Sequence, residues 1–127
     1  MSFGSGETDP SQSAGGAAAH RLPPSSLNQV TFSRRELNRI LGLYGRMVAA
    51  GEWRDYAMSF TRDVALFAAF RRTAEHPQMR LEKRPALRQR QGIWALFGEH
   101  GQVLKRGHEL AGVLAPVERR LLKVVSG

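Results

Sequence analysis

The sequence predicts an α+β domain, with an N-terminal helix, an antiparallel sheet of about four to five strands and a C-terminal helix packed on the sheet. Three observations support this fold class. Apolar residues recur at steps of three and four after Ser33, and again over residues 108–125. Between residues 53 and 106 they alternate with polar residues, and short turn-forming segments separate the alternating runs.

The first helix has a defined beginning and end. Ser33 and Glu36 have the spacing of a capping box, in which each side chain accepts a hydrogen bond from the backbone of the other residue. The apolar stripe that follows consists of Leu37, Ile40, Leu41, Tyr44, Met47 and Val48. Gly51 is a natural C′ residue, so we expect the helix to end just before it.

A strip of small residues lies on one flank of this helix. Its members are Asn38, Gly42, Gly45 and Ala49. A glycine in a helix interior costs about 1 kcal/mol relative to alanine, so two of them need an explanation. We expect another element to pack closely against the strip, the alternative being a locally weak helix.

Five strand segments in near-meander order are predicted in the middle of the chain. They are residues 56–60, 64–70, 78–83, 93–97 and 102–105. Residues 64–70 are apolar on both faces, which predicts a central strand covered by a helix on one side. Hairpin connections are predicted at residues 61–63 and at residues 99–101, where Gly101 supplies positive φ.

Pro116 interrupts the last helix. The apolar positions of that helix are Leu110, Val113, Leu114, Val117, Leu121 and Val124. Proline removes an amide donor and its ring clashes with the preceding turn. Either the helix kinks, or one short helix ends near Ala115 and Pro116 begins the next.

Composition divides the chain into two parts. Residues 1–30 are rich in Gly, Ser, Ala and Pro and contain few large apolar side chains, so we expect a disordered tail there and a single basic domain over residues 31–127. The N-terminus lacks the pattern of a signal peptide, and the longest nearly uncharged apolar run, residues 64–70, is far shorter than the ~20 residues of a membrane span. With no cysteine in the chain, we expect a soluble cytoplasmic protein with no membrane partner.

Positive charge is concentrated in the predicted domain. The chain has sixteen arginines and three lysines. Eighteen of these nineteen residues, against nine acidic ones, lie in residues 31–127, a net charge of +9. Codon usage in a GC-rich genome is one explanation for the choice of arginine over lysine, a functional role being the other, but it does not explain the net charge. A body of this charge attracts polyanions or acidic protein surfaces.

No arrangement of residues indicates a reaction. The chain contains no metal-binding histidine motif, nucleophile elbow, phosphate-binding glycine loop or dinucleotide fingerprint. His108 and Glu109 are adjacent, but neighbours on a helix point about 100° apart, which favours a surface role. We therefore expect a non-enzymatic protein without a metal, cofactor or small-molecule substrate. The alternative is an enzyme whose site is assembled through space, and a concave pocket holding two of the residues Glu52, Asp55, His108 and Glu109 would favour it.

Several segments resemble a known family. Residues 37–41 (LNRIL) and 43–57 (LYGRMVAAGEWRDYA) resemble a family of small bacterial proteins catalogued as a domain of unknown function, and residues 70–72, 81–83 and 104–110 are similar to it as well. The resemblance covers about residues 30–125. It implies a small bacterial domain with an uninterrupted last helix, from which Pro116 departs, and it implies no activity or site residues.

Basic clusters are therefore the candidate site. The clusters comprise Arg34, Arg35, Arg39 and Arg46; Arg71 and Arg72; Arg80, Lys83, Arg84, Arg88 and Arg90; and Lys105 and Arg106. The densest stretch, residues 83–91, has four like charges in nine residues. As a loop between strands it either presents arginines to phosphates or carboxylates as bidentate forks, or is merely a solvated connection.

We expect an arginine-rich face that binds a polyanion, RNA or DNA backbone, without strong sequence readout. The predicted contact residues are Arg35, Arg39, Arg46, Arg71, Arg72, Arg84, Arg88 and Arg90. Exposed strand aromatics would strengthen this hypothesis because bases stack on them, although alternation places most of them in the core. The alternative is an adaptor or subunit that binds an acidic protein surface, for which Trp53 or Trp94 exposed beside the charge would be the signature.

Overall fold

The computed structural model describes residues 28–72 and 76–126, and this part of the chain forms two helices and one five-stranded antiparallel sheet. The elements in chain order are α1 (Arg34–Ala49), β1 (Asp55–Phe60), β2 (Ala65–Phe70), β3 (Met79–Lys83), β4 (Trp94–Phe97), β5 (Val103–Gly107) and α2 (Leu110–Ser126). The predicted α+β class is confirmed. The tail predicted for residues 1–30 lies outside the described residues, except for residues 28–30.

The sheet is a simple meander. Its strand order is β1-β2-β3-β4-β5, and every neighbouring pair is antiparallel. Both predicted hairpins are confirmed: the Thr61 amide donates to the Val64 carbonyl at 2.9 Å, and Gly101 has φ +79°. β2 is an internal strand, as predicted, because it pairs with β1 on one side and β3 on the other.

The hydrophobic core lies between the two helices and one face of the sheet. In β2 the buried residues are Ala65, Phe67 and Ala69, while the residues between them are only half-buried. Successive side chains of a strand point to opposite faces, so this pattern identifies the face that the helices cover. Trp53 and Trp94 both belong to the core, with exposures of 5% and 2%.

The capping box of α1 is confirmed and is tied to the sheet. The Glu36 amide donates to Ser33 Oγ at 3.1 Å, and the Ser33 amide donates to Glu36 Oε1 at 2.8 Å. The same Glu36 oxygen accepts a bond from Lys83 Nζ at 2.7 Å, which joins the start of α1 to the end of β3. The helix ends at Ala49, and Gly51 follows with φ +80°, as the sequence predicts.

Close packing against the small-residue strip of α1 was a wrong prediction. Gly42 and Gly45 are exposed, and a Cβ added to either meets no atom of a neighbouring element within 4 Å in the described part of the chain. The physical reason is the rotation of the helix. Its buried residues, Ile40, Leu43 and Met47, face the core and turn the strip towards solvent.

Alanine at both of these glycines is expected to stabilise the protein. Gly42→Ala combined with Gly45→Ala should raise the free energy of unfolding by about 1–2 kcal/mol, because alanine loses less backbone entropy in a helix and nothing obstructs its methyl group. Urea unfolding of the full chain measures the change. Gly51→Ala is the control, since its positive φ makes the same substitution destabilising by about 1 kcal/mol. A destabilised double variant would contradict the open surroundings of the strip.

α2 is one continuous helix, with Pro116 inside it. Two separate helices are therefore excluded. The missing amide at Pro116 leaves the Gly112 carbonyl without its usual helical donor. Buried residues on both sides of the proline, Val113, Leu114 and Val117, hold the two halves of the helix against the core. No helix of the described residues is both long and apolar enough to cross a membrane.

Candidate functional site

One face of the sheet carries neither of the two described helices. Register and strand alternation assign to it Asp55, Ala57, Ser59, Leu66, Ala68, Phe70, Arg80, Glu82, Ala95, Phe97, Val103 and Arg106, which we call the open face. Leu66, Ala68, Phe70 and Phe97 are half-buried there and lie outside the core cluster. The open face is thus a partly exposed apolar floor that neither described helix covers.

Two arginines flank an aromatic ring on this floor. The guanidinium carbon of Arg80 lies 4.3 Å from the ring centroid of Phe97, and that of Arg106 lies 5.9 Å from the same centroid. Both distances fall within the range of cation–π attraction. We call Arg80 and Phe97 together the Arg80–Phe97 platform.

A shared carboxylate orients the arginines of β3. Glu82 accepts from Arg80 Nε at 3.2 Å through one oxygen and from Arg84 Nε at 3.0 Å through the other. The Glu82 side chain is only 12% exposed, so its oxygens are held in place by the sheet. Arg80 is therefore fixed by a ring and by a carboxylate, which leaves its planar guanidinium with little freedom to lose on binding.

The connection between β3 and β4 continues this basic surface. It contains a 3₁₀ turn at Pro85–Leu87, followed by Arg88 and Arg90, which are exposed and have no carboxylate partner among the described residues. Gly92 closes the connection with φ +94° and lies against the backbone of Gly107 at the end of β5. The loop thereby sits beside the end of the strand that carries Arg106.

The remaining predicted arginines lie elsewhere. Arg39 and Arg46 on α1 both reach Glu118 Oε2 on α2, at 3.5 and 3.8 Å. Arg71 pairs with Glu52 at 3.6 Å, and Arg120 binds the same Glu52 oxygen at 2.8 Å. These ion pairs are largely exposed, and such pairs contribute about 0–1 kcal/mol each. Their shared carboxylates neutralise part of the charge on the helical side.

The eight predicted contact residues therefore fall into separate groups. Arg84 contacts Glu82 on the open face, and Arg88 and Arg90 are exposed in the loop that follows it. The structure places Arg39 and Arg46 on the helical layer, across the sheet from Arg84. Arg35 is exposed in the first turn of α1, and Arg71 and Arg72 are exposed just after β2.

Sequence reasoning missed four residues of the open face. The sequence places Arg80 and Arg106 in basic clusters without singling them out as contacts, and Phe70 and Phe97 are among the strand aromatics that alternation assigns mostly to the core. Strand alternation carries the signal that separates them. Phe67 and Phe70 are three positions apart in one strand, so they must point to opposite faces. What alternation leaves undecided is which of those faces the helices cover.

The described residues contain no group of three or more potential metal ligands. A shallow depression of about 380 Å³ at the beginning of α2 is lined by His108 and Glu109, two of the four residues that the enzyme alternative named. Both are exposed, and in the described region no hydrogen bond joins them or orients either as a base. His76 Nε2 lies 3.7 Å from Glu99 Oε2, again on the surface.

Comparison with known proteins gives one match. A family model described as "Protein of unknown function (DUF2794)" matches residues 30–114 of the chain. That stretch includes α1, the whole sheet and the beginning of α2, and it ends before Pro116. No curated protein and no solved structure matches the chain significantly.

Proposed function

The chain belongs to the family described as "Protein of unknown function (DUF2794)", and from its own surface we propose that it is a small non-enzymatic binding protein that engages a polyanion. The proposed ligand is RNA or DNA backbone, bound without strong sequence readout. The proposed location is the cytoplasm, which the absence of cysteine supports.

The observation that carries this proposal is the charge of the open face and its adjoining loop. Around β3–β5 the arginines are Arg80, Arg84, Arg88, Arg90 and Arg106, and Glu82 is the acidic residue enclosed among them. Glu82 lies between two guanidinium groups and orients them rather than cancelling the whole patch. The donors left over on each guanidinium match the bidentate geometry of phosphate oxygens.

Affinity for nucleic acid is expected to fall steeply with salt. Binding of the full chain to a fluorescent 20-nucleotide RNA and DNA between 50 and 300 mM NaCl measures this dependence. The slope of log affinity against log salt should flatten by about 0.7–0.9 for each phosphate contact that is removed. An affinity that does not change with salt would contradict the proposal.

Two triple variants locate the interface. Arg84→Ala/Arg88→Ala/Arg90→Ala and Arg35→Ala/Arg39→Ala/Arg46→Ala each remove three positive charges, so long-range attraction falls equally in both. The first variant should lose about two units of slope and the second distinctly less. Equal losses of slope in the two variants would indicate diffuse attraction without a defined interface. A larger loss of slope in the second variant would indicate that the interface lies on α1.

An adaptor function is the second candidate, and a small pocket favours it. Its expected anchors, Trp53 and Trp94, are buried, so they do not form an exposed patch. A pocket of about 100 Å³ lies between the helices and the sheet, however, and is lined by Met47, Trp53, Gln78, Met79, Leu104, Pro116, Val117 and Arg120. The mostly apolar lining suits an apolar side chain of a partner, and Arg120 at the pocket suits acidic residues beside that side chain. Co-purification of a defined protein after nuclease treatment would favour the adaptor over nucleic-acid binding.

A further inference from the structure

We propose that the open face binds single-stranded nucleic acid, with bases stacked on the Arg80–Phe97 platform and the neighbouring arginines contacting phosphates. This inference rests on the proposed function and specifies the form of nucleic acid that the site takes. The observation behind it is that the open face combines an apolar floor with an aromatic ring, Phe97, and the guanidinium groups of Arg80 and Arg106. Contacts to a phosphate backbone require only positive charge. They therefore do not account for the apolar side chains of the open face.

The floor has the shape and chemistry that unpaired bases need. Ala57, Ala68 and Arg80 are register neighbours in one row that continues to Phe97, and Ala95 lies beside Arg106 in the next row. Ala57 and Ala68 keep the surface beside Arg80 low, and the partly exposed Arg80 guanidinium lies over the Phe97 ring, so a base can reach the outer side of this guanidinium. Bases in a duplex are already stacked on each other, whereas unpaired bases gain by covering aromatic and guanidinium planes.

Phosphate contacts surround the platform. Arg84 shares the Glu82 carboxylate with Arg80, and Arg106 lies on the opposite side of the Phe97 ring from the β3 edge, on β5. A base on the platform therefore has cationic groups in reach on two sides. Phe70 is a second ring on the same face, two strands across the sheet and two residues further along the strand direction, and thus about 12 Å away. It offers a stacking position for a nucleotide further along the strand.

A second copy of the chain is a poorer occupant of this face. Isologous pairing brings this positively charged patch against the same patch of the second copy, because the same surface is used on both sides. Each copy carries an excess of positive charge on this patch, because one central carboxylate, Glu82, stands against Arg80, Arg84 and Arg106. Like charges brought together at an interface are unfavourable, whereas a polyanion complements them.

The test compares three probes on the full chain: a fluorescent single-stranded 12-mer, the duplex of the same sequence, and heparin. The single strand should bind at least tenfold more tightly than the duplex at equal salt. Phe97→Leu keeps the apolar side chain but removes the aromatic face, so it should weaken single-strand binding about tenfold and leave heparin binding unchanged. Tyr56→Leu, at an exposed aromatic of the helix-covered face, is the matched control and should leave both unchanged.

Arg80→Lys is the second variant, and it keeps the charge while removing the guanidinium plane. It should weaken single-strand binding severalfold without affecting heparin. Thermal unfolding of each variant verifies that it folds. If Phe97→Leu does not fold, single-strand and heparin binding of Arg80→Lys tests the stacking on the platform instead.

Three results would overturn the inference. If single strand and duplex bind equally and neither variant distinguishes them, the face contacts backbone only, and the proposed function still stands. If none of the three probes binds at physiological salt, both the inference and the proposed function fail. If Phe97→Leu instead abolishes binding of a co-purifying acidic protein while single-strand binding persists, the open face is a protein interface.

Discussion

Phe67→Ala should lower the free energy of unfolding by about 3–5 kcal/mol, whereas Phe70→Ala, three residues further along β2, should cost less than half as much. Phe67 is fully buried, and its ring centroid lies 5.5 Å from that of Tyr56 and 6.2 Å from that of Tyr44. Truncation there removes a large apolar side chain and leaves a cavity that the surrounding core fills only partly. The loss of the ring contacts adds to this cost.

Phe70 is the internal control because it is the same residue type on the same strand. Its side chain lies on the open face and is half-buried, so truncation exposes a hollow that water fills. Urea unfolding of the full chain, with both variants compared at constant m-value, measures the difference. Equal destabilisation would mean that another part of the protein covers the open face, and the proposed interface would then be inaccessible.

Gly92→Ala should destabilise the protein by about 3 kcal/mol, which is the second large effect. Gly92 has φ +94°, a conformation that L-residues adopt only at a cost of about 1–2 kcal/mol. A Cβ at this position would also overlap the carbonyl group of Gly107, which belongs to the backbone of β5 and has no rotamer to yield. The strand end or the loop must move, and such overpacking typically costs 1–3 kcal/mol.

Gly101→Ala separates the two contributions. Gly101 has φ +79° at the tip of the β4–β5 hairpin, and an added Cβ meets no described atom within 4 Å. It should therefore show the backbone cost alone, about 1–2 kcal/mol, in the same unfolding experiment. If Gly92→Ala costs no more than Gly101→Ala, the loop that carries Arg88 and Arg90 is not seated on β5.

The candidate site was only partly predictable from the sequence. The dense run of charge predicts Arg84, Arg88 and Arg90 as contacts, and in the structure Arg84 contacts Glu82 on the open face while Arg88 and Arg90 are exposed in the adjoining loop. Arg80 and Phe97 were missed, since their contact joins neighbouring strands whose register no local pattern specifies. The carboxylates that pair with the arginines of the helical layer could not be predicted from the sequence either, because they are far away along the chain. Glu118 is 79 residues from Arg39, and Glu52 is 68 residues from Arg120.

Local chemistry determined the order and the ends of the elements. The capping box of Ser33 and Glu36 and the positive φ of Gly51 and Gly101 depend on atoms a few residues apart, so the sequence contains all of their causes. The period of two between residues 53 and 106 likewise follows from the pleat of a strand. These features made the α+β class and the meander predictable.

Tertiary packing decided what the local patterns left open. It determined which side of the sheet the helices cover, which way the glycine strip of α1 faces, and that α2 continues through Pro116. Each outcome depends on the apolar area buried by the whole domain, and that sum exceeds a local cost such as the roughly 3 kcal/mol of a proline inside a helix. The open face, and with it the proposed binding site, exists because both helices bury their apolar stripes on the same side.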